Sequence, residues 1–207
     1  VLVALLTGRG LDQVLKILSG KKPDTKFFQT LTGQIRLQHQ HTVPSQSQSE
    51  ANKHLISAVS QHVTLVLPDI LTAPLPVITA ETELKISEYV SRISKTSLPR
   101  LNINQIGKEL ERVMVQNQTD RLMIALITGA ELRERAALSY TRVTHSMLQQ
   151  CYQHQLVQWF SLVPHDITFS ELSSGDAYGS PLRIPDTKLT AYFHFLQTDL
   201  TLLQHFS

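Results

Sequence analysis

The feature that most constrains the fold is a Thr-Gly-Arg-Gly sequence at residues 7–10, which separates two apolar segments at the start of the chain. We name this segment the 7–10 corner. Two glycines within three residues let the backbone turn sharply or approach another surface closely. After the corner, apolar residues recur at the three- and four-residue steps of one helix face, at Leu11, Val14, Leu15 and Leu18. The sequence therefore predicts two short core helices joined by a tight turn.

The pattern changes to that of β-strands between residues 25 and 67. Residues 26–31 are aromatic and β-favouring, and residues 32–34 can form a turn. Side chains then alternate along the chain, with one face carrying Ile35, Leu37, His39 and His41. A polar stretch at 45–52 indicates a loop, and alternation returns over 54–67. These patterns predict a small antiparallel sheet near the N-terminal third.

The rest of the chain is dominated by helical patterns. Thr79 can cap one helix, a second spans about 102–117, and Asp120 can cap a short apolar helix that ends at Gly129. Further helices are predicted at 131–138, after Thr144 and after residue 186, with a loop-rich region at 165–179 that includes a strand near 167–169. We expect the apolar stripe of the last helix, which includes Phe193 and Leu196, to close the core.

The order helix, small sheet, then helices is an α+β pattern, mainly helical. We expect one domain over residues 1–145 and a C-terminal helical extension, residues 146–207, packed on the same domain. The chain has 207 residues, of which 42% are hydrophobic, so it can bury a core without disulfides.

The composition indicates which cellular compartment and which kinds of partner suit the chain. Cys151 is the single cysteine, which excludes an intramolecular disulfide and favours a reducing cytoplasm. No apolar run approaches the ~20 residues of a membrane span, and no signal peptide is visible. The net charge of +2 permits a nucleic-acid partner without requiring one. The chain starts inside a predicted helix at Val1, so we expect it to be part of a longer protein.

The first segment resembles the first catalytic box of the tyrosine recombinases, the phage integrase family. Leu5, Thr7 and Gly8 match that box, and Ile17 stands in place of its last leucine. The family's phosphate-binding arginine has its place at Gly10, and its glutamate has its place at residue 13, a glutamine here. Arg9 is the residue before the family's arginine position. The resemblance therefore covers the residues that surround the catalytic positions of the box and does not cover the catalytic residues themselves.

The resemblance extends over residues 1–145. In the frame of the second box, Asn104 stands where the family has histidine and Gly107 where it has the second arginine. Residues 137–143 resemble the segment around the nucleophilic tyrosine, which implies Tyr140 as the nucleophile. The lysine of the family's sheet hairpin has its nearest candidate in Lys26, and residues 128–131 offer no clear counterpart of the histidine or tryptophan before the tyrosine.

The resemblance implies a DNA-binding protein of the site-specific recombination or integration type, from a mobile element. Tyrosine-type strand transfer needs two arginines to stabilise the charge at the phosphate, so glycine at both positions implies impaired cleavage. On an alternative alignment Arg9 or Arg100 supplies that charge. The resemblance implies double-stranded DNA as partner, a homo-oligomer on DNA, and no cofactor, metal or nucleotide. Members of the family often exchange a C-terminal helix between copies, and the last helix here could do this instead of closing its own core. The residues expected to face DNA are Arg9, Lys21, Lys22, Lys26, Arg133 and Arg142.

Two other interpretations start from the same residues. The chain could instead be a non-catalytic helical interaction domain, such as an adaptor or regulatory piece of a larger protein. This interpretation also explains the modest net charge and the absence of the family's catalytic residues. Convergence of the basic residues on one face beside Tyr140 would favour DNA, and scatter would favour the adaptor. His39 and His41 could ligate a metal with His54 or His62, but partly exposed strand histidines are the simpler expectation.

Overall fold

A computed structural model describes residues 1–41, 59–71, 75, 78–96, 105, 107–130, 141–160, 169, 176–180 and 190–198. Several predicted features lie outside these residues. They are the loop at 45–52, the helix at 131–138, and the side chains of His54, Arg100, Asn104, Arg133 and Tyr140.

The chain begins with the two predicted helices, α1 (Leu2–Thr7) and α2 (Leu11–Leu18). Gly8 ends α1 in the left-handed conformation, with φ of 65°, which a side chain would disfavour. The face of α2 that carries Leu11, Val14 and Leu15 is buried, as the spacing predicts. The 7–10 corner is therefore confirmed as the turn between two core helices.

Three strands form the predicted antiparallel sheet: β1 (Thr25–Gln29), β2 (Ile35–Gln40) and β3 (His62–Val66), in the order β1-β2-β3. The register pairs His39 with Thr25 on one side and with Val63 on the other. Successive strand residues point to opposite faces, so His39 shares the inner face with Ile35 and Leu37. His39 is 4% exposed, and the expectation of a partly exposed histidine is wrong at this position.

In the described residues the sheet is followed by helices α3 (Ala80–Thr96), α4 (Glu109–Gln116), α5 (Arg121–Thr128) and α6 (His145–Phe160). The predicted caps form, because Thr79 accepts from the Thr82 amide at 3.3 Å and Asp120 accepts from the Leu122 amide at 2.7 Å. The helix predicted over 102–117 differs, since a turn at residues 107–108 precedes α4. Gly107 lies in this turn and packs closely against another backbone segment, as described below.

The sequence did not predict a second sheet. Strands β4 (Arg142–Thr144) and β5 (Ala177–Gly179) pair antiparallel, although residues 165–179 were expected to be loop-rich with a strand near 167–169. Three-residue strands are too short for alternation to be visible in a sequence. Residue 169 itself has no regular structure.

Side chains of helix α6 form hydrogen bonds with the backbones of both β3 and α1. Gln149 accepts from the Val66 amide at 3.0 Å and donates to its carbonyl at 3.1 Å, which covers the free edge of β3. The buried Tyr152 hydroxyl donates to the Leu6 carbonyl at 2.8 Å. The fold is thus α+β, with a small antiparallel sheet near the N-terminal third. Among the helices of the described ranges, none is long and apolar enough to cross a membrane.

The last described helix, residues 190–198, differs from its prediction. Phe193 is 60% exposed and Leu196 is only half-buried, so the described part of this helix does not bury the stripe that was expected to close the core.

Candidate anion-binding site

The 7–10 corner directs the side chain of Arg9 into the protein. Arg9 is 2% exposed and is among the largest fully buried side chains. Its amide donates to the Ala4 carbonyl at 3.2 Å, so the residue is held directly against the end of α1. Arginine is seldom fully buried unless its charge is paired, because removing a guanidinium from water is costly.

Gly129 supports the guanidinium. This residue follows α5 with φ of 68°, and a Cβ added to it would lie 2.6 Å from Nη1 and 2.8 Å from Cζ of Arg9. Such distances are shorter than van der Waals contact, so a side chain at this position would displace the planar group from where it lies. The guanidinium therefore packs directly on the backbone at the end of α5.

Gly107 and Thr128 hold the backbone of the same corner. A Cβ on Gly107 would collide with the Arg9 carbonyl and the Gly10 amide, so the turn before α4 packs on the corner backbone. A Cβ on Gly8 would lie 2.8 Å from Cγ2 of Thr128. Three segments that are far apart in the sequence therefore meet at Arg9. Gly107 has no room for an arginine side chain.

No counter-charge for Arg9 is found in the described part of the chain. Its Nε and Nη2 atoms are buried and have no hydrogen-bond partner there. The ion pairs formed between described residues, Lys85 with Glu81 and Arg112 with Glu109, lie elsewhere. Burial lowers the pKa of Arg9 from its usual value to about 10, which leaves the group protonated at neutral pH. The site is a buried cation with two unused donors.

His39 extends from β2 toward this cation. Burial, followed by the charges of Arg9, His41 and Lys22 in that order, lowers the pKa of its ring to about 3. The ring is hydrogen-bonded to the backbone of Leu126, and its Nδ1 is buried without a partner among the described residues. His39 is therefore neutral at pH 7.

Lys22 adds a second positive charge. It is half-buried in the turn after α2, and burial and then the charge of Arg9 lower the pKa of its amine, while Asp24 and Asp12 raise it. We name the set formed by Arg9, Lys22, His39 and Gly129 the Arg9 pocket. Its charge and its unused donors suit an anion.

The structure places the other described residues among those expected to face DNA elsewhere. Lys21 and Lys26 are exposed, and Lys26 lies on the face of β1 opposite to Thr25 and thus opposite to His39. Arg142 is half-buried on β4, where its Nη1 donates to the Ser180 carbonyl at 3.5 Å. Of the expected residues that are described, Arg9 and Lys22 come together.

Sequence reasoning missed the roles of His39 and Gly129. The alternation that placed His39 with Ile35 and Leu37 was visible in the sequence and could have predicted its burial. Gly129 was recognised as a helix end, but nothing in the sequence showed which side chain packs on it.

Comparison with known proteins adds no identity, because no protein-family model, curated protein or solved structure matches the chain. Within the described residues, no group of three or more His, Cys, Asp or Glu side chains is arranged to hold a metal ion. The fold and the site thus define an α+β protein with a buried cationic pocket.

Proposed function

We propose that this protein binds double-stranded DNA and that Arg9 contacts a backbone phosphate. The observation that carries the proposal is the buried Arg9 guanidinium, whose Nε and Nη2 have no partner in the described structure. A guanidinium presents parallel N–H groups that match two oxygens of a phosphate. A bound phosphate would supply both the missing acceptors and the missing negative charge.

The arrangement of the pocket also supports a fold related to the tyrosine-recombinase catalytic domain. The 7–10 corner and the Gly107 turn lie in the regions that resemble the family's first and second boxes, and Gly129 lies between the second box and the predicted tyrosine. These regions meet at one residue, because Gly107 packs on the Arg9 backbone and Gly129 on its side chain. Arg9 would then take the part of the phosphate-binding arginine, as in the alternative alignment considered above.

We further propose that strand cleavage is impaired. The backbone packing of Gly107 excludes an arginine there, so the Arg9 pocket would act without the family's second arginine. Loss of one such charge-stabilising donor typically lowers the rate by about 10²–10³. Tyr140 remains the predicted nucleophile. We propose that the protein binds DNA as a homo-oligomer within the integration machinery of a mobile element.

Access to the pocket requires a conformational step. Because Arg9 is 2% exposed, the groups that cover it must move aside before a phosphate reaches Nε and Nη2. We therefore expect DNA association to be slower than simple electrostatic encounter, with a rate that saturates as the DNA concentration rises.

The test is binding of a fluorescent random-sequence duplex at two salt concentrations. Wild-type protein is expected to bind, and the affinity is expected to fall steeply with salt. Arg9→Met should weaken binding by about 10- to 100-fold, the loss of a charged hydrogen-bonded pair. The matched control is Lys85→Met, which also removes one positive charge, from the exposed face of α3.

Either of two results would overturn the DNA proposal. One is absence of binding by the wild-type protein at low salt. The other is an equal effect of Arg9→Met and Lys85→Met, which would show a response to net charge alone. Arg9→Lys keeps the charge without the fork of donors, so it should recover only part of the affinity.

A protein-interaction role is the second candidate function, and one observation favours it. In the helix at 190–198, Tyr192, Phe193 and Phe195 are 58%, 60% and 58% exposed. Exposed aromatic groups on one short segment are typical of a protein-contact surface. Light scattering over a range of protein concentrations tests this role. Phe193→Ser combined with Phe195→Ser should lower the apparent mass if these rings hold copies together.

A further inference from the structure

The two edges of the three-stranded sheet differ in what covers them. On β3, Gln149 pairs with both backbone groups of Val66, and the His62 amide donates to Oγ of Ser60 at 3.2 Å. Proteins close edge strands in such ways because unpaired backbone groups recruit further strands. Strand β1 forms the other edge of the sheet.

The hydrogen bonds of β1 show which of its backbone groups face outward. The Gln40 amide donates to the Asp24 carbonyl at 2.8 Å, and a bond of 2.9 Å joins residues 30 and 34 in the same way. Hydrogen-bonded pairs alternate with non-bonded pairs along an antiparallel ladder. The even-numbered residues of β1 therefore bond to β2, and the backbone groups of Phe27 and Gln29 point away from it.

These outward groups are available for pairing. No described residue bonds to the outward N–H and C=O groups of Phe27 and Gln29, which we name the β1 edge. Gln29 is exposed and Phe27 is half-buried, so the protein encloses neither residue. Donors and acceptors in this arrangement bind an extended peptide as an added strand. A DNA backbone does not match them, because its phosphates accept hydrogen bonds and offer no donor to the carbonyls.

The charges beside the β1 edge favour an acidic partner. Residues 16–29 contain four lysines and a single carboxylate. The Lys21 amide donates to the Lys16 carbonyl at 2.9 Å, and the first amide of β1 donates to the Lys22 carbonyl at 3.3 Å, so these lysines lie at the start of the strand. Lys26 is exposed within the strand. A second copy of this chain would bring the same positive charges, which disfavours pairing of two β1 edges.

We propose that the β1 edge binds an extended, acidic segment of a partner protein as an additional antiparallel strand. Antiparallel addition continues the pattern of the sheet. The partner residue opposite Lys26 is acidic, and those opposite Phe27 and Phe28 are apolar, because residues directly opposite share a face of the sheet. Phe27 already packs against the core, so an apolar residue beside it extends that contact. This inference goes beyond DNA binding and does not depend on it.

The first experiment measures binding of the fluorescein-labelled peptide Thr-Val-Val-Glu-Thr-Glu to the full chain by fluorescence anisotropy. The first threonine is designed to lie opposite Gln29, the two valines opposite Phe28 and Phe27, and the first glutamate opposite Lys26. Binding is expected with a Kd below about 1 mM. Absence of binding at that concentration overturns the inference.

Methylation of the peptide backbone tests strand addition without any change to the protein. In the proposed register the N–H of the second valine points to β1, and that of the first valine points away. A methyl group on the nitrogen of the second valine should lower the affinity by about fivefold or more, the loss of one hydrogen bond, and one on the first valine by less than about twofold. Equal affinities of the two methylated peptides overturn strand addition. Full affinity of both would show that the lysines attract any acidic chain, as a DNA-contacting surface does.

Substitutions at Gln29 locate the peptide on the protein. Gln29→Pro removes one outward N–H and leaves the bonds between β1 and β2 in place, so peptide affinity should fall by about fivefold. Gln29→Ala is the matched control, because it also loses the side-chain bond to the Gly33 carbonyl but keeps the N–H. Equal affinities of the two variants overturn the site. A dimer of the wild-type protein in light scattering that Gln29→Pro disrupts would identify a second copy as the occupant and overturn the acidic partner.

A charge exchange tests the register. Lys26→Glu should weaken binding of the acidic peptide by about fivefold, and a peptide with lysine in place of its first glutamate should recover the loss. Lys85→Glu makes the same change of charge on the exposed face of α3 and should leave both affinities within about twofold. Equal effects of Lys26→Glu and Lys85→Glu overturn the assignment of Lys26.

Discussion

Replacing Arg9 by methionine should make the protein more stable while it removes phosphate binding. Burial lowers the pKa of Arg9 well below its usual value, to about 10. Because each pKa unit corresponds to about 1.4 kcal/mol, the buried charge destabilises the folded protein by about 3 kcal/mol. Methionine has a similar flexible stem and no charge, and it lacks the Nε and Nη2 donors that need hydrogen-bond acceptors.

Incomplete packing reduces the expected gain. Methionine lacks the planar group that rests on Gly129, so a small void forms at the end of α5. A void of that size costs about 1 kcal/mol. We expect Arg9→Met to raise the free energy of unfolding by about 1–3 kcal/mol, in line with other replacements of buried charges by apolar groups. Urea denaturation at pH 7.5, in buffer without phosphate or sulfate, measures this difference through the midpoint at constant slope.

The opposite sign would refute the reasoning. If Arg9→Met lowers the stability by more than about 1 kcal/mol, the guanidinium is compensated in the folded protein and has no need of a ligand. Lys85→Met is the control, and this exposed change should stay within about 0.5 kcal/mol of wild type. Added phosphate should narrow the gap, because a ligand that binds only the folded wild type stabilises it by mass action.

Three further predictions concern the surroundings of Arg9 and the sheet edge. Gly129→Ala should destabilise the fold by more than Gly20→Ala in urea denaturation, because the two glycines have nearly equal φ (68° and 71°) but only Gly129 contacts Arg9, and nothing lies within 4 Å of a Cβ on Gly20. The left-handed conformation alone costs about 1–2 kcal/mol, so similar losses would show that the guanidinium does not rest on Gly129. His39, whose pKa falls from 6.5 to about 3 on folding, takes up its proton first in the unfolded chain, so stability should fall with pH below 6.5, by about 2 kcal/mol between pH 7.5 and 5. His39→Gln should remove most of that slope, leaving the part due to His145, whose pKa burial also lowers; an unchanged slope would contradict the burial of His39. Gln149→Leu should lower the free energy of unfolding by about 2–4 kcal/mol, because it leaves both backbone groups of Val66 without partners; a loss below about 1 kcal/mol would show that other groups satisfy that edge.

The parts of the fold that sequence reasoning predicted correctly are those that local chemistry determines. The two helices at the 7–10 corner follow from glycine conformation and from the spacing of Leu11 and Val14. The three-stranded sheet follows from the aromatic and β-favouring residues of β1 and from the alternation along β2 and β3. Asp120 caps α5 because its carboxylate reaches an amide only two residues away. Each of these features is determined by residues that lie close together in the sequence.

The parts that were missed depend on contacts between distant segments. Strands β4 and β5 are three residues each, and their pairing joins residues about 35 apart in the chain. Phe193 has the spacing of a core residue, but its burial depends on whether another segment covers it. Gly107 was identified as a substituted catalytic position, and its contact with the Arg9 backbone became visible only in three dimensions. Spacing along the chain does not contain this information.

The buried charge of Arg9 also bears on the choice between DNA binding and an adaptor role. The test set by the sequence was convergence of basic residues against scatter, and of the described residues that were expected to face DNA, only Arg9 and Lys22 converge. Whether a cation is hydrogen-bonded matters more here than how many cations converge. Water satisfies the donors of an exposed lysine, whereas the buried Nε and Nη2 groups of Arg9 have no hydrogen-bond partner among the described residues. An adaptor surface gains nothing from a buried cation that destabilises its own fold. A phosphate site does gain, since the same uncompensated donors that lower stability in the free protein become binding energy when the anion arrives.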